Sequence, residues 1–485
     1  MNSESNASMD HGIEQADDHL KMNEEKKTLL PPKRSSVLDH YSISFEQLMF
    51  VIIIVLPALP AGVSVGFSAI ALPELNLNLI QSSWFASLPT LGAILGNFIT
   101  GYVIDRFGRK LAFFVNTIPA FIGFAFLAGS PKVVHLYIGQ TCIGISQGAV
   151  TFVATAYIAE SLAPDNLHFR SSLASWNILG VTLGLSITYV LGYLFHYDGV
   201  ALIAASVALL SSILILVFVP ESPAWLDQQG RFKEAQQARY QLGCERFDIE
   251  SSTSYKPISD DINVDETLFS YLLKVRRKDV YMPLLVTTAY FFFQQFSGTQ
   301  VYSAYMVEII TVKSLTIDSY LTTLICGLIM AMGQISYTSF LPRMGVRKIA
   351  ITSSLVASST TLVLGICNHL SSTITVYPYI VDYIHILAVW CNVFFSAMGI
   401  ATVPYTIIGE IFPADAKGFG SVAVFAVNLF YFINLMIYPQ AVVLSSYAIF
   451  YVYAIIGFLA VPFIYYCIPE TVGRTLEQLS SDFSS

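Results

Sequence analysis

The stretch "VIDRFGRK" (103–110) closes an apolar run with four charges, Asp105, Arg106, Arg109 and Lys110, set around Gly108. It has an echo far along the chain in "FLPRMGVRK" (340–348). Two more stretches echo in the same order. "YIAESLAP" (157–164) returns as "TIIGEIFPAD" (406–415), and "VPESPAWL" (219–226) returns as "IPETVGRTL" (468–476). The offsets are roughly 240 to 250 residues throughout, so the repeat spans the chain rather than one element.

Composition says what is repeated. Of 485 residues 54% are hydrophobic and only 12% charged, about half the charged fraction of a soluble domain. Twelve apolar runs centre near residues 58, 94, 120, 146, 184, 209, 296, 330, 358, 395, 429 and 457. Each is about 20 residues long, enough to cross about 30 Å of hydrocarbon as a helix. The three echoes fall after the second, fourth and sixth runs of each set of six. The expected fold is therefore an all-α polytopic membrane protein with twelve transmembrane helices in two pseudo-symmetric six-helix halves. Internal duplication of this kind is the mark of a carrier whose substrate binds near the bilayer midplane between the halves.

The polar segments divide the chain. Residues 1–44 lack an apolar core and read as a disordered tail rather than a signal peptide. The halves are 45–219 and 283–468, the linker 220–282 contains the amphipathic "EAQQARYQL" and the basic "KVRRKD", and 469–485 is a second tail. If the tails are cytosolic, all 25 Lys and Arg except Lys132 and Lys313 fall in tails or cytosolic loops, as the positive-inside rule requires. The net charge of −8 adds nothing to this.

Several function classes lack support. The six cysteines (Cys142, Cys244, Cys326, Cys367, Cys391, Cys467) are scattered without CxxC spacing, and each reads as a buried apolar residue. Nucleotide-loop, nucleophile-elbow and metalloprotease motifs are missing, so neither an enzyme, a cofactor, a metal nor a nucleic-acid partner is expected. The sequon at Asn6 lies on the cytosolic tail, where it would go unused.

One span carries an excess of polarity. "YFFFQQFSGTQVYSAY" (290–305) places Gln294, Gln295 and Gln300 around Gly298 in an otherwise lipid-compatible segment. Their amides need a partner: another helix, water or a ligand. As glue between helices such contacts are worth about 0.6 kcal/mol each. As a polyol site they suit the task, because a carboxamide offers donors and an acceptor to hydroxyl pairs. On an ideal helix Gln295, Thr299 and Tyr302 share a face while Gln294 and Gln300 point to either side. A break near Gly298 would let all of them line one cavity.

"GYVIDRFGRK", "PESPAWLDQQGR", "QQFSG", "GEIFP" and "PETVGRTLEQL" together resemble the sugar-porter family of the major facilitator superfamily. The resemblance covers about residues 47 to 480, and "VGFSAIALPEL" looks most like the insect facilitated trehalose transporter-like branch. It implies sugar binding by Gln294, Gln295 and Gln300, an outer cap at Tyr305, ring stacking by Tyr405 where the family has Trp, and a further amide at Asn428. Other matches fail: Ile178, Met330, Ala397 and Phe432 replace a fifth-span Gln, an eighth-span Asn, a tenth-span acid and an eleventh-span Asn. The resemblance also implies an ion-pair lattice that holds one state and breaks on switching. Its members here are Asp105, Arg106, Arg109, Glu160, Arg170 and Glu221 in the first half, and Arg343, Arg347, Glu410, Lys417 and Glu470 in the second. With Pro342 in place of the second Asp, the two latches are expected to be unequal. Trp225 is expected at the membrane interface.

Proton-coupled relatives pair a first-span Asp with a fourth-span Arg. Ser68 and Gln140 stand at those positions, and Glu308 reads as the only other acid within a span. Facilitated uniport follows, with a proton symporter and a transport-poor sugar receptor as alternatives. Sensors of this fold carry long cytosolic extensions, and only six residues follow Leu479. "EKKTLL" (25–30) resembles an acidic dileucine signal, in which Glu25, Leu29 and Leu30 would recruit a clathrin adaptor and cycle a plasma-membrane carrier through endosomes. The sequence does not fix an oligomeric state.

Overall fold

The computed structural model describes residues 45–161, 167–242, 276–311, 318–373, 378–412 and 420–470, and residues 49–485 form one compact unit. In the first half α1 (Phe45–Val55) and α2 (Ala58–Ala71) form one membrane-length stretch with Pro57 between them. The missing N–H of Pro57 interrupts the ladder there. Then come α3 (Leu79–Phe107), α4 (Arg109–Gly129), α5 (Val133–Ser161), α6 (Leu167–Leu194) and α7 (Tyr197–Phe218). A capping box starts α3: the Asn78 side chain accepts from the Gln81 N–H while the Gln81 side chain accepts from the Asn78 N–H. Two short linker helices follow, α8 (Pro223–Gln228) and α9 (Phe232–Gln241).

The second half opens with a segmented span: α10 (Lys278–Phe296), α11 (Thr299–Ala304) and α12 (Met306–Ile310). It continues with α13 (Ser319–Met344), α14 (Val346–Thr373) and α15 (Pro378–Phe395). The tenth span then passes through a π turn (Ser396–Ile400) into α16 (Val403–Ile411), and α17 (Gly420–Leu444) and α18 (Ala448–Cys467) complete the half. Among the described residues ten helices are long and apolar enough to cross a membrane. The expected fourth and seventh spans are α5 and α10–α12. Both are helical, and both carry glutamines within the span, Gln140 and Gln147 on α5 and Gln294, Gln295 and Gln300 on α10–α11.

Small residues bring helices of a half together. "GAILG" (92–96) on α3 faces "GISQG" (144–148) on α5, and a Cβ on Gly96 would stand 2.0 Å from the Ile145 carbonyl oxygen. That is backbone-to-backbone packing of the small-xxx-small type. The halves meet along two seams, α3 on α17 and α6 on α13, and α11 and α12 lean on α2.

The buried core reports how the halves join. At the face opposite the "DRFGR" motifs a single apolar cluster unites both halves, from Phe67, Ile70 and Tyr189 to Tyr302, Tyr305 and Tyr438. On the motif face the clusters separate by half. Val103, Phe113, Tyr157 and Ile215 form one, and Tyr290, Tyr337, Ile349 and Ile464 form another.

Two local expectations change. Trp225 is buried with Leu226 against Ala235 and Ala238, so it is the core of the α8–α9 pair rather than an interfacial ring. Cys467 is exposed, at the very end of α18, where the chain leaves the bundle. Cys326 and Cys367 are buried, as expected.

Candidate substrate site and helix-end latches

The seventh span breaks where the sequence asked it to. Gly298 takes φ +84°, a left-handed conformation that side chains other than glycine's rarely adopt. A Cβ there would also lie 2.5 Å from the Tyr453 ring. The break is held from two other helices: Asn434 Nδ2 of α17 donates to the Gln295 carbonyl at 2.6 Å, and Tyr453 Oη of α18 donates to Asn434 Oδ1 at 2.7 Å. Neither Asn434 nor Tyr453 stood out in the sequence. The signal available was a second amide six residues beyond Asn428 on an apolar helix.

The amides beside the break are buried and only partly used. Gln295 is 1% exposed, and neither its Oε1 nor its Nε2 has a partner among the described residues. Gln294 donates through Nε2 to the Ala401 carbonyl at 2.7 Å, while its Oε1 has no partner. A buried polar atom without a partner costs about 1 to 3 kcal/mol. Gln300 is half-buried on α11.

The other expected contacts are distributed around α17. Tyr405 is half-buried, with its ring 5.2 Å edge-on from that of Phe291 beside Ala423 and Val427. Asn428 is half-buried and donates back to Val424 on its own helix at 2.9 Å. Tyr305 is buried, packs on Tyr438 at 5.0 Å, and donates to the Leu435 carbonyl at 3.2 Å, closing the side away from the motifs. The Phe432 ring lies 5.9 Å from that of Trp84, tilted by 58°, across the α3–α17 seam. A position where the family offers an amide thus serves packing between the halves.

A groove of about 430 Å³ between α10 and α17 is lined by Tyr281, Leu284, Leu285, Thr288, Ala289, Phe292 and Phe430. Its lining is nearly all apolar and excludes Gln294 and Gln295, so it lacks the amides expected of the sugar site.

At the motif face two of the acids cap helices. Glu221 accepts from the backbone N–H of Arg109 at 2.8 Å and of Lys110 at 3.1 Å, capping the N-terminus of α4. Glu470 accepts from Val346 at 2.9 Å and Arg347 at 3.3 Å, capping α14 in the same way. A carboxylate at a helix N-terminus is favoured by orphan N–H groups and by the helix dipole. The glycines that precede these helices, Gly108 at φ +90° and Gly345 at φ +77°, admit the carboxylates: a Cβ on either would lie 2.5 Å from a carboxylate oxygen. The caps are alike in both halves, and the loss at Pro342 leaves the second one intact.

Arg106 bonds Tyr102 on the exposed side of α3, Arg343 is exposed, and the Arg347 guanidinium lies 4.8 Å over the Tyr465 ring. The side chains of Asp105, Glu160, Arg170, Glu410 and Lys417, and the sorting residues Glu25, Leu29 and Leu30, lie outside the described residues.

One acid was missed. Asp382 lies on a membrane-length helix, Tyr379–Ile408, and is 4% exposed. Glu308 is therefore not the only further acid in a span, and it is itself exposed on α12. Asp382 escaped notice because "VYPYIVDYIHIL" begins the tenth span earlier than its most apolar stretch suggests.

Comparison with known proteins gives this arrangement its context. The profile of the "Sugar (and other) transporter" family matches residues 26–483. The chain belongs to that family. It is similar to the facilitated trehalose transporter Tret1 of Apis mellifera ligustica, 25% identical over 88% of this chain and 84% of the relative. It is also similar to the sugar transporter ERD6-like 6 of Arabidopsis thaliana, 28% identical over 91% of each. Its fold matches the partially occluded inward open conformation of the xylose transporter XylE from E. coli, with a TM-score of 0.72 at 21% identity over 89% of this chain and 100% of the other.

Proposed function

We propose that the chain is a facilitative uniporter of a sugar, either a hexose, trehalose or a related polyol, working by alternating access. The observation that carries this reading is the set of buried, unpartnered amide atoms of Gln294 and Gln295 beside the break at Gly298. Neutral hydroxyl pairs complement such amides without charge. Gln300, Tyr405 and Asn428 extend the site, and Tyr305 closes it. The trehalose and sugar transporters it resembles support the substrate class.

The motif face is cytosolic in this reading, supported by the Lys and Arg distribution. The separated cores on that face then correspond to an inward-facing state, with 45–219 and 283–468 as the moving bodies. The Glu221 and Glu470 caps belong to the switch, together with Asp105, Glu160, Arg170, Glu410 and Lys417. The carrier resides in the plasma membrane with both termini inside, and the 25–30 dileucine recruits an adaptor for endosomal cycling. Ser68 and Gln140, both buried, stand where a proton-coupling pair would be.

Proton symport has one observation in its favour, the buried carboxyl of Asp382, whose Oδ2 has no partner in the chain. A panel of labelled mono- and disaccharides in a transport-deficient host, with a protonophore arm, tests both readings. Uptake of one sugar that survives the protonophore supports uniport; uptake that collapses with it supports symport; no uptake of any sugar removes both.

A further inference from the structure

We infer that Gln334, on α13, is a specificity-determining residue of the sugar site, positioned by Thr402 and paired functionally with Gln294. The inference rests on the sugar-carrier reading. Gln334 is 1% exposed; its Oε1 accepts from Thr402 Oγ1 at 2.8 Å, and its Nε2 has no partner among the described residues. Thr402 Oγ1 also lies 2.9 Å from the Ala397 carbonyl, which fixes its rotamer beside the π turn.

The neighbouring residue, Ala401, accepts from Gln294 Nε2. One two-residue turn in the tenth span therefore anchors an amide from each of two helices. It leaves an acceptor free on one, Gln294 Oε1, and a donor free on the other, Gln334 Nε2. Adjacent hydroxyls of a sugar complement that pair in chemistry: one can donate to Gln294 Oε1 while its neighbour accepts from Gln334 Nε2.

The sequence also shows why a residue is needed here. Ala397 offers no polar group, and Met330, one turn from Gln334 on α13, offers none either. At Gly333 the two spans press together, since a Cβ there would stand 3.1 Å from the Ala397 Cβ and 2.5 Å from the Phe394 carbonyl oxygen. That close approach sets the next residue, Gln334, against the part of the tenth span where the polar group is lacking. An amide delivered from α13 thus restores hydrogen bonding opposite the seventh span.

The test is transport by the full-length protein in proteoliposomes, with labelled D-glucose, trehalose and the monodeoxy glucose series as probes. Gln334→Leu is expected to raise KM for the transported sugar about tenfold, the effect of one hydrogen bond, with kcat changed less than twofold. For the one deoxy analogue that lacks the contacted hydroxyl, KM is expected to stay at its wild-type value. Thr402→Val is expected to show the same analogue pattern at smaller size, with Thr402→Ser restoring it. A KM unchanged in Gln334→Leu, or raised equally for every analogue, overturns the inference while leaving the carrier reading in place. A wild-type protein that takes up none of the probes overturns both.

Discussion

Gln295 is the residue on which the most depends, because both of its amide atoms are buried and neither meets protein. Replacing it with Ala removes no side-chain hydrogen bond seen among the described residues, so a loss of transport would report on substrate. Gln295→Ala is expected to lower kcat/KM for the transported sugar by about ten- to a hundredfold, the cost of one or two lost polar contacts, with surface abundance unchanged. Flux normalised to biotinylated surface protein checks this. Glu221 and Glu470 act in the opposite way, since their bonds are internal. Glu221→Gln keeps the shape but removes the charge from the cap on α4, and is expected to cost about 1 kcal/mol, read as a lower midpoint in a thermal melt. The matching loss in Glu470→Gln would show that the two latches are equal. The sequence displayed these acids as echoes in both halves, yet both accept from backbone N–H groups, which no pattern of charged side chains displays. Gln334 was illegible for a related reason: a lone Gln on an apolar helix gains meaning only through Thr402, 68 residues away.

At the scale of the element, the seventh span shows most clearly what sequence can carry. Three glutamines around a glycine in an apolar run announce a broken helix, and φ +84° at Gly298 is that break. Gly298→Ala combines a left-handed backbone with a clash against the Tyr453 ring. It is expected to cost at least about 1 to 2 kcal/mol and to abolish transport. Tyr453→Phe removes only the hydroxyl that orients Asn434 and is expected to cost about 1 kcal/mol, with partial loss of flux. Equal behaviour of the two variants in melting and uptake would show that the break is not the sensitive feature. The order of the helices was legible from the apolar runs, ten of which are membrane-length helices among the described residues, but the tenth span was not legible in detail. Its π turn, and the buried Asp382 near its start, depend on packing against α13 and α14.

For the whole molecule, the two halves share one core at one face and keep separate cores at the other. The shared face is tied by bonds that cross between halves: Tyr189 Oη donates to the Ser303 carbonyl at 2.8 Å and Ser186 Oγ to the Gly327 carbonyl at 2.6 Å. These bonds help to hold that face shut. Tyr189→Phe should therefore withdraw about 1 kcal/mol from this state and move the equilibrium about fivefold toward the alternative one. Modification of single cysteines placed along α2 and α11 by a membrane-impermeant thiol reagent checks it, with faster labelling expected in the variant. The repeat in "VIDRFGRK" and "FLPRMGVRK" made the two bodies legible; which face is shut depends on contacts that no single half contains. Proton movement measured during sugar uptake in proteoliposomes, with a pH-sensitive dye inside and labelled sugar outside, tests the central claim most directly. The expected result is sugar entry down its gradient to equal concentration, with no change in internal pH and with entry slowed about ten- to a hundredfold in Gln295→Ala. Acidification of the lumen in step with sugar entry would contradict facilitated uniport.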